Sequence, residues 1–349
     1  MTITQFGLLI CLGVLSCVFV AMLRVPLSRH ALDIPEDRSS HTQATPRGGG
    51  CAIWIAYSIG LVVLMALDHI EMFTFIGFLG AGSFAMLSGL LDDIAEGGIR
   101  AETRLIFHAV AVVWAIAWLG GIEEIHIVGF IWKWGYAEQI LLGLAMIWII
   151  NNTNFMDGLN GLAASETIFV AGMAGLLASA SGDSVSLLLC TMLVATTIGF
   201  LPWNIGRAKI FLGDSGAYFL GMMIALLALT SAQTGSISPW CWTILFAVFL
   251  SDGTVTLVRR MIHNPSAWKI PHQSHACQHI RHQLDSHGKV TIAVSALNVI
   301  VLAPLATVAW RYPQWSAGIA LVTLIVMAVL AVRLGSGVER NSSFSKDAA

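Results

Sequence analysis

Long apolar segments follow one another along almost the whole chain, and this pattern limits the accessible folds more than any other feature. Each segment has the roughly 17 to 25 residues that an α-helix needs to cross a hydrocarbon core of about 30 Å. A soluble domain carries about 25% charged residues, whereas this chain of 349 residues has 11%. The sequence therefore predicts an all-α polytopic membrane protein and excludes a soluble enzyme. We count eleven transmembrane segments, at residues 3–23, 50–67, 72–91, 105–121, 138–156, 159–180, 184–203, 215–232, 239–258, 290–310 and 314–333.

The charge balance and the cysteines exclude further classes. Lys and Arg number 18 and Asp and Glu 20, for a formal charge of -2. Such a chain has neither the basic field of a nucleic-acid-binding protein nor the composition of a disordered acidic one. Membrane lipid and small molecules remain as partners. The six cysteines form no CxxC pair and lie mostly in apolar runs, so we expect no disulfide and no zinc site.

The distribution of cations predicts the orientation in the membrane. If the N-terminus is periplasmic, 16 of the 18 Lys and Arg residues fall in inner loops, and only Lys133 and Arg311 fall outside. Cations near the ends of spans are held on the cytoplasmic side. We therefore expect a periplasmic N-terminus and a cytoplasmic C-terminus. The first segment should be retained, because no signal-peptide cleavage pattern follows it.

Two stretches differ from the helical segments. In residues 121–137, branched residues alternate briefly and two Trp lie beside a Lys, which predicts a small periplasmic hairpin at the membrane interface. Residues 335–349 are polar and of low complexity, which predicts a disordered cytoplasmic tail. The domain organisation expected from this pattern is one integral membrane domain, residues 1–334, followed by the tail.

An acidic pair ends the third segment. Asp92 and Asp93 are adjacent at the predicted inner surface, and Arg104 follows within about three helical turns. Adjacent carboxylates within reach of an arginine can bind a divalent ion, orient a phosphate or act as a base. A solvated helix end would also tolerate them.

Two further motifs carry polar groups at segment ends. In NFMDGLNG, Asn154, Asp157 and Asn160 recur every three residues, so their oxygens can converge on one side of a helix end. The alternative is a hydrogen-bonded cluster that joins spans. In FLGDSG, Asp214 lies at the predicted start of a helix, where either a phosphate site or a simple N-cap is favoured.

Other candidates lie in the remaining inner loops. Arg47 precedes three glycines in TPRGGG, and an arginine with a glycine-rich backbone can hold a phosphate, although a flexible connector has the same composition. Asp252 lies two turns before Arg259 and Arg260. It could reach the inner surface and the substrate, or it could pair with one of these arginines.

The longest inner loop is rich in histidine. His272 and His275 lie in PHQSHACQ, without the cysteine pair or the ligand spacing of a transition-metal site. We expect them to bind phosphoryl oxygens as imidazolium donors. His282 and His287 are expected to be solvated.

The five aspartates of these motifs, Asp92, Asp93, Asp157, Asp214 and Asp252, lie in or beside the third, fifth, eighth and ninth segments and fall on the same predicted face of the membrane. Carboxylates scattered through the spans would instead have indicated an ion path. A site between the cytosol and the bilayer can accept a soluble phosphate-bearing substrate from one side and a lipid phosphate from the other.

The chain resembles the polyprenyl-phosphate N-acetylhexosamine-1-phosphate transferases in four motifs that occur in the same order: GLLDD, NFMDGLNG, FLGDSG and a late histidine loop. The resemblance extends from Asp33 to about His279, and DIPEDRSSH, TPRGGG and PHQSHACQ look most like the subgroup that initiates O-antigen. It implies transfer of N-acetylhexosamine 1-phosphate, or a 6-deoxy derivative, from a UDP-sugar to undecaprenyl phosphate, with release of UMP. The product would start O-antigen or another cell-envelope glycan.

The resemblance also implies roles for individual residues. It implies a magnesium site, which Mn²⁺ could also occupy, formed by Asp214 with the help of Asn154. Gln273 stands where the subgroup commonly has Arg, which leaves the choice of hexosamine open. The remaining implied assignments are catalysis by Asp92, Asp93 and Asp157, and substrate binding by Arg47, Arg104, Asn160, Asp252, His272 and His275, with Arg104 at the lipid phosphate and Asn160 beside the uracil.

Several alternatives remain open at this level. The transfer could proceed in one step or through an aspartyl-phosphate on the acidic pair. A polytopic transporter or lipid flippase would use the carboxylates as ion or proton sites, in which case Asp157 and Asp252 should lie in mid-membrane. A non-catalytic membrane scaffold would tolerate Asn at each acidic position. The sequence also leaves open a homodimer.

Overall fold

The computed structural model describes residues 2–34, 43–127, 130–133, 135–270 and 272–339. Within these ranges the protein is built almost entirely from helices that run back and forth as a bundle. The helices are α1 (Ile3–His30), α2 (Gly50–Ala66), α3 (Met72–Ile94), α4 (Ala101–Leu119), α5 (Tyr136–Met156), α6 (Leu162–Ala180), α7 (Ser184–Asn204), α8 (Gly213–Gln233), α9 (Pro239–Leu245), α10 (Ala247–His263), α11 (Ala276–Leu284), α12 (His287–Leu297), a π-helical turn (Asn298–Leu302), α13 (Ala303–Arg311) and α14 (Ser316–Arg333).

The predicted all-α polytopic fold is confirmed. Over the described part of the chain, nine helical segments are long and apolar enough to cross a membrane, or ten if α9 and α10, which are bent by 76°, form one span. The apolar helix α2 is shorter, with 17 residues. Each predicted segment thus corresponds to a helix or to consecutive helices. Which end of the bundle faces the cytoplasm stays a prediction.

Helix α8 forms the centre of the bundle. In its most apolar 18-residue window, 83% of the residues are buried, against 17% for α1 at the periphery. It packs against α2, α3, α5, α6, α7 and α9. A helix that is apolar on all sides is typical of such a buried position. The motif at its N-terminus, FLGDSG, is therefore placed where several helices end together.

Glycines allow α2 and α3 to approach the start of α8 backbone to backbone. A Cβ atom on Gly50 would lie 1.9 Å from Cα of Gly216, and one on Gly89 would lie 2.2 Å from the carbonyl carbon of Asp214. No side chain fits at such distances. The close approach brings the end of α3, with its acidic pair, onto the first residues of α8.

Two small antiparallel sheets lie in the loops. Strand β1 (Leu32–Asp33) pairs with β2 (Thr45–Pro46), which closes the loop between α1 and α2. Strand β3 (Glu124–Ile127) pairs with β4 (Phe130–Lys133). The second pair is the predicted hairpin between α4 and α5, and the sequence placed it within a few residues.

The boundary of the predicted C-terminal tail is wrong. Residues 335–339 follow α14 and are bonded to the bundle, and Ser336 is completely buried. Polar composition suggested disorder, but these polar groups find partners in the protein. Residues 340–349 of the predicted tail lie outside the described residues.

Candidate active site

Asp214 lies at the meeting point of three helices. It is in the first turn of α8, and its Oδ1 accepts a hydrogen bond of 2.7 Å from Nδ2 of Asn154 at the end of α5. Its Oδ2 accepts a bond of 3.5 Å from the hydroxyl of Tyr218, one helical turn further on. The NFMDGLNG and FLGDSG motifs, 60 residues apart along the chain, therefore form one site.

Arg104 joins the acidic residues from α4. Its Nη1 lies 3.6 Å from Oδ2 of Asp92 and 3.9 Å from Oδ2 of Asp214. Oδ1 of Asp92 accepts a hydrogen bond of 2.7 Å from the backbone N–H of Ile99, which leaves Oδ2 directed to the arginine. Two carboxylates and one guanidinium thus converge on one point, an arrangement suited to phosphate and a cation.

Asp93 has a different position from its neighbour. Its carboxylate is 8% exposed and accepts hydrogen bonds from N–H of Asp214 at 2.9 Å, N–H of Ser215 at 3.1 Å and the Ser215 hydroxyl at 2.8 Å. A carboxylate in this place caps α8 and complements its dipole, although it comes from another helix. The resemblance implied a catalytic role for Asp93, whereas in the structure its carboxylate holds the start of α8 on the end of α3.

The glycines of TPRGGG do not form the expected phosphate loop. N–H of Gly49 and N–H of Gly50 donate to the carbonyls of Phe211 and Leu212, each at 2.9 Å, so these donors are already used. Nη2 of Arg47 lies 2.8 Å from Oδ2 of Asp33. Burial opposes the charge of Arg47, but the ion pair with Asp33 raises the pKa of its guanidinium above the ordinary value. Arg47 remains a fixed cation beside the site.

Asp157 and Asn160 lie in the loop between α5 and α6. Burial raises the pKa of the Asp157 carboxyl well above its usual range, and the nearby charge of Asp93 raises it further. The side-chain amide of Asn160 donates to the carbonyl of Gly206 at 2.8 Å, and its backbone N–H donates to Nδ1 of His287 at 3.1 Å. His287 is thus a structural contact of this loop and not the solvated residue expected.

The histidine loop, residues 272–275, lies against the same α5–α6 region. The ring of His275 stacks on Phe155, with 6.3 Å between centroids, and lies 5.0 Å from the ring of His272. A Cβ on Gly158 would lie 2.8 Å from Nε2 of Gln278 in α11. The loop expected to bind sugar and diphosphate is therefore packed directly on the NFMDGLNG motif.

Asp252 is buried, whereas the sequence predicted a surface position within reach of substrate. It is 3% exposed and accepts hydrogen bonds from two backbone N–H groups and two hydroxyls. The alternative pairing with arginine is also wrong: Arg259 donates to a carbonyl at Ser336, and Arg260 donates to carbonyls at Ala267 and Ile270. Asp252 belongs to the support of the histidine loop.

Burial, together with the nearby charges of His275 and Arg260, lowers the pKa of the His272 ring to about 3. A ring with this pKa is neutral at pH 7, so it is not the imidazolium donor that was expected. Its Nδ1 accepts a hydrogen bond of 2.9 Å from the Ser274 hydroxyl. Neutral imidazole with an occupied Nδ1 presents Nε2–H as a single donor.

This lowered pKa predicts a loss of stability in acid. Unfolded histidine has a pKa of 6.5 and the folded ring about 3, so below pH 6.5 the unfolded chain binds the extra proton and stability falls. We expect His272→Asn, whose amide oxygen can replace Nδ1, to reduce the fall in Tm between pH 6.5 and 5.0 by about 2–4 °C. Thermal unfolding in detergent measures this, with exposed His69→Asn as the control. An equal fall in Tm for wild type and His272→Asn would contradict a neutral His272.

The donor set fits a magnesium ion. Asp214 and Asp92 supply carboxylate oxygens, and Asn154, which donates through Nδ2, retains its amide oxygen as a ligand. Across the described ranges, no group of three or more His, Cys, Asp or Glu side chains forms a complete metal cage. Mg²⁺ does not need one, because it usually keeps several waters and binds one or two carboxylates together with substrate phosphates.

Sequence reasoning missed residues that complete the site. Tyr218 contacts both Asp214 and Arg104, and its spacing of four residues from Asp214 on one helix could have identified it. Ser215, which binds Asp93, and Phe155, which stacks on His275, lie within the FLGDSG and NFMDGLNG motifs but received no role. Ser336 carried no signal in the sequence, because its contacts form only between distant segments.

Residues 75–232 match the model of the family described as glycosyl transferase family 4. The match includes Asp92, Asn154 and Asp214, whereas Arg47 and the histidine loop lie outside it. The chain is 28% identical over 333 residues to the probable undecaprenyl-phosphate N-acetylglucosaminyl 1-phosphate transferase of Bacillus subtilis (strain 168), which covers 93% of this chain and 90% of that protein.

Two other relatives are similar over long stretches. The decaprenyl-phosphate N-acetylglucosaminephosphotransferase of Mycobacterium tuberculosis (strain CDC 1551 / Oshkosh) is 28% identical over 337 residues, with 86% of this chain and 81% of that protein covered. The phospho-N-acetylmuramoyl-pentapeptide-transferase of Moorella thermoacetica (strain ATCC 39073 / JCM 9320) is 31% identical over 197 residues, 53% of this chain and 61% of that protein.

Proposed function

We propose that this chain, whose residues 75–232 match glycosyl transferase family 4, transfers an N-acetylhexosamine 1-phosphate from a UDP-sugar to undecaprenyl phosphate, with release of UMP. It is a multi-pass membrane phosphotransferase that acts in polyprenyl-phosphate sugar-1-phosphate transfer. The observation that carries the proposal is the convergence of Asp92, Arg104, Asn154 and Asp214 at one end of the bundle. This cluster can bind a diphosphate and a lipid phosphate together.

We place the enzyme in a bacterial inner membrane with the site on the cytoplasmic face. The distribution of cations supports this orientation, and a water-soluble UDP-sugar would reach such a site from the cytosol. The product would begin a cell-envelope glycan, and the subgroup motifs in the first loops and the histidine loop favour O-antigen. A transporter would need a gradient, whereas transfer should proceed in detergent.

Each side chain has a task in this reaction. An oxygen of the lipid phosphate attacks the phosphorus that bears the sugar, and the bond to UMP breaks. Arg104 holds phosphate oxygens beside Asp92 and Asp214, and neutral His272 donates Nε2–H to the diphosphate. Positioning and electrostatics of this kind carry most of the acceleration in phosphoryl transfer.

Mg²⁺, held by Asp214 and Asn154 with Asp92 alongside, would neutralise charge on the diphosphate when bound. A lipid phosphate with a second pKa of about 6 is largely a dianion at neutral pH and needs little help from a base. Burial and the charge of Asp93 raise the pKa of Asp157 above its ordinary value, which favours a role in proton exchange. We assign it to that task rather than to nucleophilic attack.

The substrate assignment is tested with a panel of donors. Purified protein is incubated in detergent with undecaprenyl phosphate and radiolabelled UDP-N-acetylglucosamine, UDP-N-acetylgalactosamine or a 6-deoxy form. We expect one donor to give a radiolabelled lipid and an equal amount of UMP. Absence of both products with every donor would contradict the proposed function.

Removal of divalent cations provides a separate prediction. We expect EDTA to lower UMP release at least about 100-fold, because two carboxylates cannot by themselves bind a diphosphate. Added Mg²⁺ should restore the activity, and Mn²⁺ should restore part of it. Undiminished turnover in EDTA, with metal content checked by mass spectrometry, would exclude the metal assignment.

A further inference from the structure

The short segment after the last membrane helix, residues 335–339, is bound to the histidine loop; we name it the C-terminal strap. The hydroxyl of Ser336 donates to Oδ1 of Asp252 at 2.7 Å, and N–H of Gly337 donates to the carbonyl of Ser274 at 2.7 Å. Ser336 is completely buried. The strap therefore contacts both the loop and the residue beneath it.

Three further contacts fix the strap. Nη1 of Arg259 donates to the carbonyl of Ser336 at 2.5 Å. Nε2 of His279 and the carbonyl of Val338 are 3.1 Å apart. The ion pair between Arg260 and Glu339, at 3.7 Å, adds little because Glu339 is largely exposed. Contacts with α10 and α11 thus hold the strap on both sides of Ser336.

Asp252 connects the strap to the histidine loop. Its carboxylate accepts hydrogen bonds from N–H of Ala276 at 2.9 Å and N–H of Cys277 at 3.3 Å, at the start of α11, and from the hydroxyl of Thr256 at 3.1 Å. Nδ1 of His275 lies 3.6 Å from Oδ1, the oxygen that Ser336 binds. A buried carboxylate needs such a full set of donors to stay in place.

The position of His275 depends on this arrangement. Its ring is buried between Asp252 and the ring of Phe155. Phe155 is the residue after Asn154 in the NFMDGLNG motif. The centroid of the His272 ring lies 5.0 Å from that of His275. A shift of Asp252 would therefore move the histidine rings relative to Asn154 and Asp214.

We propose that the C-terminal strap is a positioning element of the nucleotide-sugar site, in which Ser336 fixes Asp252 and Asp252 fixes His275. The proposal rests on the proposed function, because it assigns the histidine loop to the donor substrate. Ser336 acts through other residues and touches no substrate. The strap lies outside residues 75–232, the region that matches the family model.

The test is Ser336→Ala in the full-length protein, with the donor identified by the panel. Loss of one hydrogen bond to a buried carboxylate should raise KM for the UDP-sugar about tenfold. The value of kcat and the KM for undecaprenyl phosphate should change less than about twofold, because the acidic cluster is untouched. The control is Ser316→Ala, at the opposite end of α14, where an equally buried hydroxyl bonds only the carbonyl of Pro313.

Hydrogen–deuterium exchange of the unliganded protein gives a readout independent of activity. Ser336→Ala should speed exchange in residues 272–284 and leave the α6–α7 turn, residues 181–183, unchanged. Unchanged exchange in residues 272–284, or equal effects on both KM values, would overturn the proposal. If the wild-type protein turns over no UDP-sugar, the proposed function fails. Faster exchange in Ser336→Ala would then show only that the strap holds the histidine loop. The assignment of the strap to the donor site would be overturned.

Discussion

Asp214→Asn is expected to lower kcat for UMP release about 10³-fold without loss of the fold. Asparagine keeps the shape of the side chain and its contact with Asn154, but it removes the negative charge that would hold a cation at the diphosphate. The charge is close to that of Asp92, with Arg104 near both. Removal of one of two neighbouring carboxylates should therefore leave Tm unchanged or raise it.

The measurement combines UMP release with thermal unfolding followed by tryptophan fluorescence. Glu96→Gln is the matched control: this carboxylate is exposed and lies a few residues beyond the acidic pair, so wild-type kcat and Tm are expected. Normal turnover by Asp214→Asn would remove Asp214 from the mechanism. A large fall in its Tm would show that the side chain has a structural role instead.

Asp93→Asn is expected to give the opposite combination, with a fall in Tm of about 5–10 °C together with lost activity. The carboxylate accepts two backbone N–H bonds and one hydroxyl bond at the start of α8. An amide can replace one acceptor oxygen but directs its NH₂ group at the remaining donors. The loss of two buried hydrogen bonds should lower the free energy of unfolding by about 2–4 kcal/mol.

Comparison of Asp214→Asn with Asp93→Asn distinguishes a catalytic role from a structural one. Asp93 and Asp214 lie close together, but only the carboxylate of Asp93 caps the start of α8. Thermal unfolding of Asp93→Asn beside Asp214→Asn and Glu96→Gln measures the difference. A wild-type Tm for Asp93→Asn, with activity lost, would instead place Asp93 among the groups that act on substrate.

The cluster also illustrates why acidic sites of this kind are retained at a cost in stability. Asp92 and Asp214 repel each other, and Arg104 at 3.6 and 3.9 Å compensates only in part. Like charges held together in a partly buried site are typical of functional centres. A cation and substrate phosphates would restore the balance when they bind.

Much of the fold could be predicted from the sequence because its physical cause is local. A segment of some twenty apolar residues must form a helix to satisfy its backbone in lipid, so the sequence alone indicates the helical segments between residues 3 and 333. The hairpin between α4 and α5 and the chemistry of GLLDD, NFMDGLNG and FLGDSG were also visible. In these places the residue types alone limit the structure.

The roles of individual residues in those motifs depended on packing between segments far apart in the chain. The composition of TPRGGG suggested a phosphate loop, but the approach of α2 to α8 uses its N–H groups and excludes any Cβ. Asp92 and Asp93 look equivalent in the sequence. Successive residues on a helix point about 100° apart, and only the position of α8 decides that one faces the site and the other caps a helix.

The amino-acid sequence by itself determined that this protein is a helical membrane protein with acidic motifs, because apolar length and buried charge have large local free energies. Only the tertiary structure decided that Asp252 supports the histidine loop and that Ser336 completes this support. Hydrogen bonds between segments 84 residues apart leave no periodic pattern in the chain. They form only when the helices that carry their donors and acceptors have been packed together.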